Sequence, residues 1–173
     1  SSLAPALMTF GAKARIVGPK GAREVAVAGF FVTPTSDAEH QTVLLPNEIL
    51  TEIIIPTASQ GTKNATYEVR QREALDWPLA TASVALRIAG GKVSSARIVL
   101  GHVAPVPWQA TEAEKILVGQ ALSEETATKA GEAAVRGAKP LSRNKYKVQL
   151  AKVAVKRALL EAVAQGKESM HHG

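Results

Sequence analysis

The 173-residue chain contains no cysteine. It therefore forms no disulfide, performs no thiolate chemistry, and ligates neither an iron–sulfur cluster nor a Cys-type zinc ion. Aromatic residues amount to 4%. They do not interleave with the basic residues, so the formal net charge of +6 does not make the stacking platform that single-stranded nucleic acid needs. No apolar run approaches the roughly 18 residues of a membrane span, and no membrane insertion is expected. The phosphate-loop pattern Gly-x-x-x-x-Gly-Lys is absent, as are Gly-x-Gly-x-x-Gly, His-Glu-x-x-His and the nucleophile elbow Gly-x-Ser-x-Gly. The start, Ser1-Ser2-Leu3-Ala4-Pro5, has neither an initiator Met nor a charged leader, and we expect a chain entered partway through.

Hydrophobic residues supply 46% of the chain, chiefly Ala and Val, enough for a buried core in one ordinary domain or a small domain joined to a piece of another. Much of the basic excess falls late, at Arg143, Lys145, Lys147, Lys152, Lys156, Arg157 and Lys167. A solvated helix face is the simplest reading, an acidic partner subunit the second, and nucleic acid the last.

Residues 3–11 suit a short helix. Residues 12–17 alternate apolar and polar, Gly18-Pro19-Lys20-Gly21 reads as a turn, and residues 23–27 resume the extension. A polar loop over 34–42 leads to Leu44-Leu45-Pro46-Asn47-Glu48-Ile49-Leu50, then Glu52-Ile53-Ile54-Ile55 closed by Pro56. The Ser-, Thr-, Gly- and Lys-rich stretch 57–64 is the expected linker.

Beyond it, residues 65–72, 80–88 and 92–100 are strand candidates. Gly90-Gly91 supplies the backbone freedom of a tight hairpin between the last two. Ser83, Ala85 and Arg87 alternate with Val84, Leu86 and Ile88, which predicts an antiparallel sheet with one covered face. Thr111 with Glu114 reads as a capping box opening a short helix that ends near Gly119. Ser123 caps a second helix, with Glu124 and Glu125 in its first turn and Pro140 as its stop. The longest helix spans about 143–164, with Tyr146, Leu150, Val153, Leu160 and Val163 as its apolar stripe and Gly166 as its end. The pattern is α+β: a three-stranded antiparallel sheet covered by three helices.

Candidate chemistry is sparse. His171-His172 lies in a tail (167–173) expected to be disordered, His40 in a polar loop, and His102 just after a strand, where a structural role is the simplest reading. The unusual segment is Arg70-Gln71-Arg72-Glu73-Ala74-Leu75-Asp76-Trp77-Pro78. It is either a strand end whose Trp covers the sheet, or a loop presenting Asp76 and Trp77 to a flat cofactor or a partner subunit.

This segment, Arg72-Glu73-Ala74 through Asp76-Trp77-Pro78-Leu79-Ala80, resembles the Arg-Glu-Ala, acidic, aromatic stretch of FAD-binding medium subunits of molybdenum hydroxylases, the xanthine dehydrogenase, aldehyde oxidoreductase and CO dehydrogenase flavoprotein group. Leu3-Ala4-Pro5-Ala6-Leu7 through Gly11-Ala12-Lys13 is similar to the stretch after that family's Ser-Asp-Leu motif. Pro46-Asn47-Glu48-Ile49-Leu50-Thr51-Glu52-Ile53 resembles its Pro-Gly-Glu-Leu-Leu-Thr-x-Ile pattern. Leu100-Gly101-His102-Val103-Ala104 through Pro107-Trp108 resembles Leu-Gly-Gly-Val-Ala-x-x-Pro-Trp, and Asn144-Lys145-Tyr146-Lys147 also fits. The blocks keep the family's order along almost the whole chain.

The resemblance implies a C-terminal half: a remnant of the FAD-binding domain over 1–56, the linker 57–64, and the family's C-terminal domain over 65–166. It implies electron relay, with [2Fe-2S] clusters in a small subunit passing electrons to FAD and on to an external acceptor, and a molybdenum cofactor in a large subunit doing the hydroxylation. No catalytic residue is expected in this chain. The positions that would approach FAD are Ser1, Ser2, Leu50, Asp76 and Trp77. Most of the family's pyrophosphate loops precede the position of Ser1, so the chain alone is expected to bind FAD weakly or not at all. Three residues depart from the pattern: Ser2 where Asp is usual, Glu68 where Lys is common, and His102 in place of the second Gly of Gly-Gly-Val-Ala. The competing expectation is a stand-alone α+β interaction module without flavin.

Overall fold

The computed structural model describes residues 2–37, 39–72 and 76–168. Helix α1 (Ala4–Thr9) carries Pro in its first turn, where the ring's fixed φ is already helical. Gly11, at φ 68°, then turns the chain out of the helix. Strands β1 (Lys13–Gly18) and β2 (Gly21–Ala26) form the expected hairpin, Gly18 facing Gly21 across Pro19-Lys20. Strand β3 (Ile49–Ile54) pairs antiparallel with the other edge of β1, giving the order β2-β1-β3. Ala14 and Ile16 of β1 are buried against Phe30, which meets Phe31 edge-on at 5.3 Å.

The second sheet is built from β4 (Lys63–Val69), β5 (Ala80–Ala89), β6 (Lys92–Gly101) and the two-residue β7 (Trp108–Gln109), in that order and antiparallel throughout. Three long strands are therefore present as expected, with β7 as a short addition. Gly90 and Gly91 take φ of 56° and 74°, the double left-handed turn that matches the twist of a two-residue hairpin. Helices α2 (Thr111–Leu117), α3 (Glu124–Ala134) and α4 (Tyr146–Glu168) pack on one face. The α+β class is borne out.

Four local expectations fail, the first three for a tertiary reason. Thr111 and Glu114 form no capping box, and Ala110 occupies the cap position. The Glu114 carboxylate instead accepts from the backbone N–H of Ile98 at 2.9 Å and from Gln109, tying α2 to β6. Ser123 does cap α3, by reciprocal bonds with Thr126.

The expected apolar stripe of α4 is rotated. Ala151, Ala154, Val155, Ala158, Leu159 and Ala162 are buried, while Tyr146 is exposed and Leu150, Leu160 and Val163 sit at the margin. The reason is close approach of α3. A Cβ on Gly131 would stand 2.6 Å from the carbonyl oxygen of Lys152, so only small side chains fit the seam between the two helices.

Strand β5 is covered on both faces over residues 80–86, not on one. Helix α1 packs on the face opposite α2–α4, with Pro5 against Gly101. Thr81 and Ser83 are buried there with partners: Thr81 with His102, and Ser83 with Thr66. Finally, Gly166 does not end α4, which runs on to Glu168. A glycine stops a helix by turning left-handed, and here it stays helical. The rest of the expected tail, 169–173, lies outside the described residues.

Candidate functional site

The segment singled out in the sequence is a loop between β4 and β5. Its base is closed by a hydrogen bond from the Leu79 N–H to the Val69 carbonyl at 2.7 Å. Pro78 is buried and Asp76 half-buried, while Trp77 is 78% exposed. The Trp therefore does not cover the sheet, and an indole this open is free to meet another flat surface. Residues 73–75 lie outside the described residues. Glu68, at the end of β4, pairs with Arg70, so its negative charge is balanced within the segment rather than projected at a ligand.

Ser2 is exposed ahead of α1; Ser1 lies outside the described residues. Pro5 of α1 packs beside Gly101 and Thr81, and Thr81 follows the Trp77 loop directly into β5. The fold thus brings Ser2, Asp76 and Trp77 to one end of the four-stranded sheet. His102 lies there too, its Nδ1 3.0 Å from the Thr81 hydroxyl and its backbone at φ 64°. That left-handed φ favours glycine, the residue the resemblance puts at this position. Burial holds the His102 imidazole below its ordinary pKa, the nearby Lys147 and Arg70 acting in the same direction.

Leu50 is on the other sheet. It faces buried Ile16 across the β1–β3 pair and is 38% exposed. The turn before it is held firmly. Glu48 accepts from Arg23 at 2.7 and 2.9 Å and from the Leu45 N–H at 3.0 Å, and Arg23 also donates to the Val43 carbonyl. Those bonds, led by that from Arg23, lower the Glu48 carboxyl to about 2. No hydrogen bond or ion pair among the described residues joins Leu50 to Trp77 or Ser2. Among the described residues no cluster of three His, Asp or Glu side chains is placed to hold a metal ion. Among the described residues no helix is long and apolar enough to cross a membrane.

A further concavity, of about 220 Å³, opens between the end of β6, the C-terminus of α3 and the start of α4. Sequence reasoning assigned it nothing. Its only local signal was an asparagine just ahead of a helix, which ordinarily reads as a cap.

The CO dehydrogenase flavoprotein C-terminal domain family matches residues 65–162. The carbon monoxide dehydrogenase medium chain of Afipia carboxidovorans is 37% identical, covering 94% of this chain and 56% of the relative. The aldehyde oxidoreductase FAD-binding subunit of Escherichia coli is 28% identical over 95% of this chain and 49% of its own length. Among solved structures, carbon monoxide dehydrogenase from Hydrogenophaga pseudoflava, described as lacking the Mo-pyranopterin moiety of the molybdenum cofactor, superposes with a TM-score of 0.80. It is 35% identical and covers 92% of this chain and 55% of that one. The chain spans about half the length of the curated relatives it matches. With a match over 65–162 and a fold shared across nearly its whole length, the chain belongs to the CO dehydrogenase flavoprotein C-terminal domain family.

Proposed function

We propose that this chain is the C-terminal part of the FAD-binding medium subunit of a molybdenum hydroxylase. In that role it helps relay electrons from the [2Fe-2S] clusters of a small subunit, through FAD, to an external acceptor. A large subunit carrying the molybdenum cofactor would perform the hydroxylation. The observation that carries the reading is the loop of Asp76 and Trp77: an indole 78% exposed on a connection whose base is hydrogen-bonded shut. A hydrophobe so open beside a hydrogen-bonded loop base is suited to a planar partner.

FAD supplies a ring system that accepts and passes on electrons when bound. The residues here fit its ring better than its phosphates. Trp77 offers a flat apolar face, Leu50 an apolar contact at the sheet edge, and Asp76 and Ser2 hydrogen-bonding groups. The sequence carries no Gly-rich phosphate loop. Pyrophosphate binding then falls to residues preceding Ser1, with 1–56 as the end of the FAD-binding domain and 65–166 as the domain that closes over the ring.

The test is the native reading frame upstream of the Ser1 codon, followed by flavin titration. We expect an open frame of roughly one domain with Gly-rich loops. The longer chain should carry stoichiometric FAD, its spectrum changed by Trp77→Ala, while residues 1–173 alone show no saturable binding. A start codon immediately ahead of the Ser1 codon, or a longer chain without flavin, would replace this reading with an interaction module.

A further inference from the structure

We infer that the concavity between β6, α3 and α4 is a binding site for a small aromatic acid carrying an N–H or O–H donor beside its carboxylate. Its walls are apolar: Leu100 at the end of β6 and Val103 just beyond it, Val135 just past α3, and Val148 and Ala151 from α4, with the indole of Trp108, 52% exposed, also lining it. A volume of about 220 Å³ exceeds the ~150 Å³ that accommodates benzene. It is below the ~300 Å³ at which sites for drug-sized ligands begin. One or two fused rings fit.

Polarity specifies more than shape. Asn144 lines this cavity and is half-buried, and its Oδ1 is buried without a hydrogen-bond partner among the described residues. The other buried polar side chains are satisfied: Thr81 by His102, Ser83 by Thr66, and Thr9 by the Ala6 carbonyl. A buried acceptor left so is costly in a folded protein, and a turn of the half-buried amide toward a donor on a bound molecule would relieve it. Asn144 is tied to Lys147 by the turn that opens α4, where the Lys147 N–H donates to the Asn144 carbonyl at 3.0 Å. Asn144 and Lys147 therefore line the cavity side by side.

The charge there is of one sign. Lys139 and Lys147 line the cavity, and no Asp or Glu does. Lys147 donates to the His102 carbonyl at 3.2 Å, which leaves two of its three protons. Lys139, and Arg143 and Lys145 close by in the chain, have no ion pair among the described residues. Further along α4, by contrast, Lys152 pairs with Glu132 and Lys156 with Glu124, each at 2.7 Å. Two lysines further along α4 are thus paired with carboxylates of α3, while Lys147 at the cavity has no ion pair among the described residues. Apolar walls, a buried acceptor and uncompensated cations together describe an aromatic acid with a hydrogen-bond donor.

The test is NMR titration of the ¹⁵N-labelled full chain, following the indole N–H signals of Trp108 and Trp77, assigned through Trp108→Phe. The probe is indole-2-carboxylate. Benzofuran-2-carboxylate lacks its N–H, and indole lacks its carboxylate. A saturable shift of the Trp108 signal is expected with the probe, and roughly tenfold weaker binding with each control. Asn144→Leu should abolish the preference for the N–H compound while leaving the melting temperature unchanged or higher, because the wild-type oxygen has no partner to lose. Ala138→Trp, at the exposed rim, should block binding. If Asn144→Leu does not fold, Lys147→Met serves instead and should erase the preference for carboxylate over indole. No saturable Trp108 shift at millimolar probe overturns the site, as does a shift of Trp77 instead, or undiminished selectivity in both variants. Each result is independent of whether the longer subunit binds flavin.

Discussion

Replacing Gly131 with alanine sets two ordinarily separable effects against each other. In a helix interior, Gly→Ala is favourable by about 1 kcal/mol, because alanine has less backbone freedom to lose. Gly131 is in the interior of α3, and on that ground alone the variant gains. Its new Cβ, however, would stand 2.6 Å from the Lys152 carbonyl oxygen and 3.4 Å from its carbon. Both are backbone atoms of α4 and cannot swing aside. Relief requires the two helices to part by roughly 0.5 Å or more, thinning the contacts of Ala127, Ala130, Ala151 and Ala154 along the seam. Overpacking of this kind costs about 1–3 kcal/mol, and a backbone contact belongs at the upper end. Subtracting the helical gain leaves a net loss of about 1–2 kcal/mol, or about 2–8 °C in Tm for a chain of this size. Thermal unfolding followed by circular dichroism reads it directly. Gly29→Ala is the control: nothing lies within 4 Å of its Cβ position, and its Tm should hold or rise slightly. A Gly131→Ala protein melting at or above the wild-type temperature would refute the seam argument.

At His102 the ordinary order of substitutions should invert. His102→Gly and His102→Ala both lose the bond to Thr81, but only glycine relieves the φ of 64°, so glycine should be the more stable by about 1 kcal/mol; equal urea midpoints at equal slope would contradict this. Because the folded-state carboxyl of Glu48 titrates at about 2 against an ordinary 4.5, its stabilisation is complete above pH 4.5 and lost as pH falls through about 2. Glu48→Gln should lower stability at neutral pH and flatten the acid limb between those values. Urea titrations at a series of pH values report both, and an unchanged acid limb removes Glu48 as its source.

Features decided within a few residues were legible in the sequence. The Gly90-Gly91 hairpin, the Gly18–Gly21 turn and the Ser123 cap depend on φ preferences and on bonds spanning three residues. What was not legible depended on distant chain. Glu114 is drawn from a local cap to the Ile98 N–H because β6 lies beside α2. The α4 stripe is set by how near α3 comes, and large side chains read from sequence as core turned out to be its rim. The cover on the second face of β5 comes from α1, more than seventy residues earlier in the chain and invisible to any periodicity in β5 itself. Of the flavin-facing candidates, Trp77 was legible as an oddity of composition, and only the fold shows it open. Asn144 carried the opposite difficulty, since a helix-opening asparagine looks satisfied until its oxygen is seen to have no partner.

The position of α1 bears on how such proteins can exchange parts. The family match begins at residue 65, yet the interior it encloses is sealed by a helix at residues 4–9. Pro5 fits so tightly that even a methyl group at Gly101 would come within 2.9 Å of its ring. A crossover between two relatives placed near residue 60 would join one lineage's plug to another lineage's socket, with Pro5 and Gly101 inherited from different parents. A crossover ahead of α1 would pass plug and socket on together. Shuffled libraries should therefore yield folded chimeras from junctions before residue 4 more often than from junctions between 55 and 65, although the latter stretch reads locally as the natural seam.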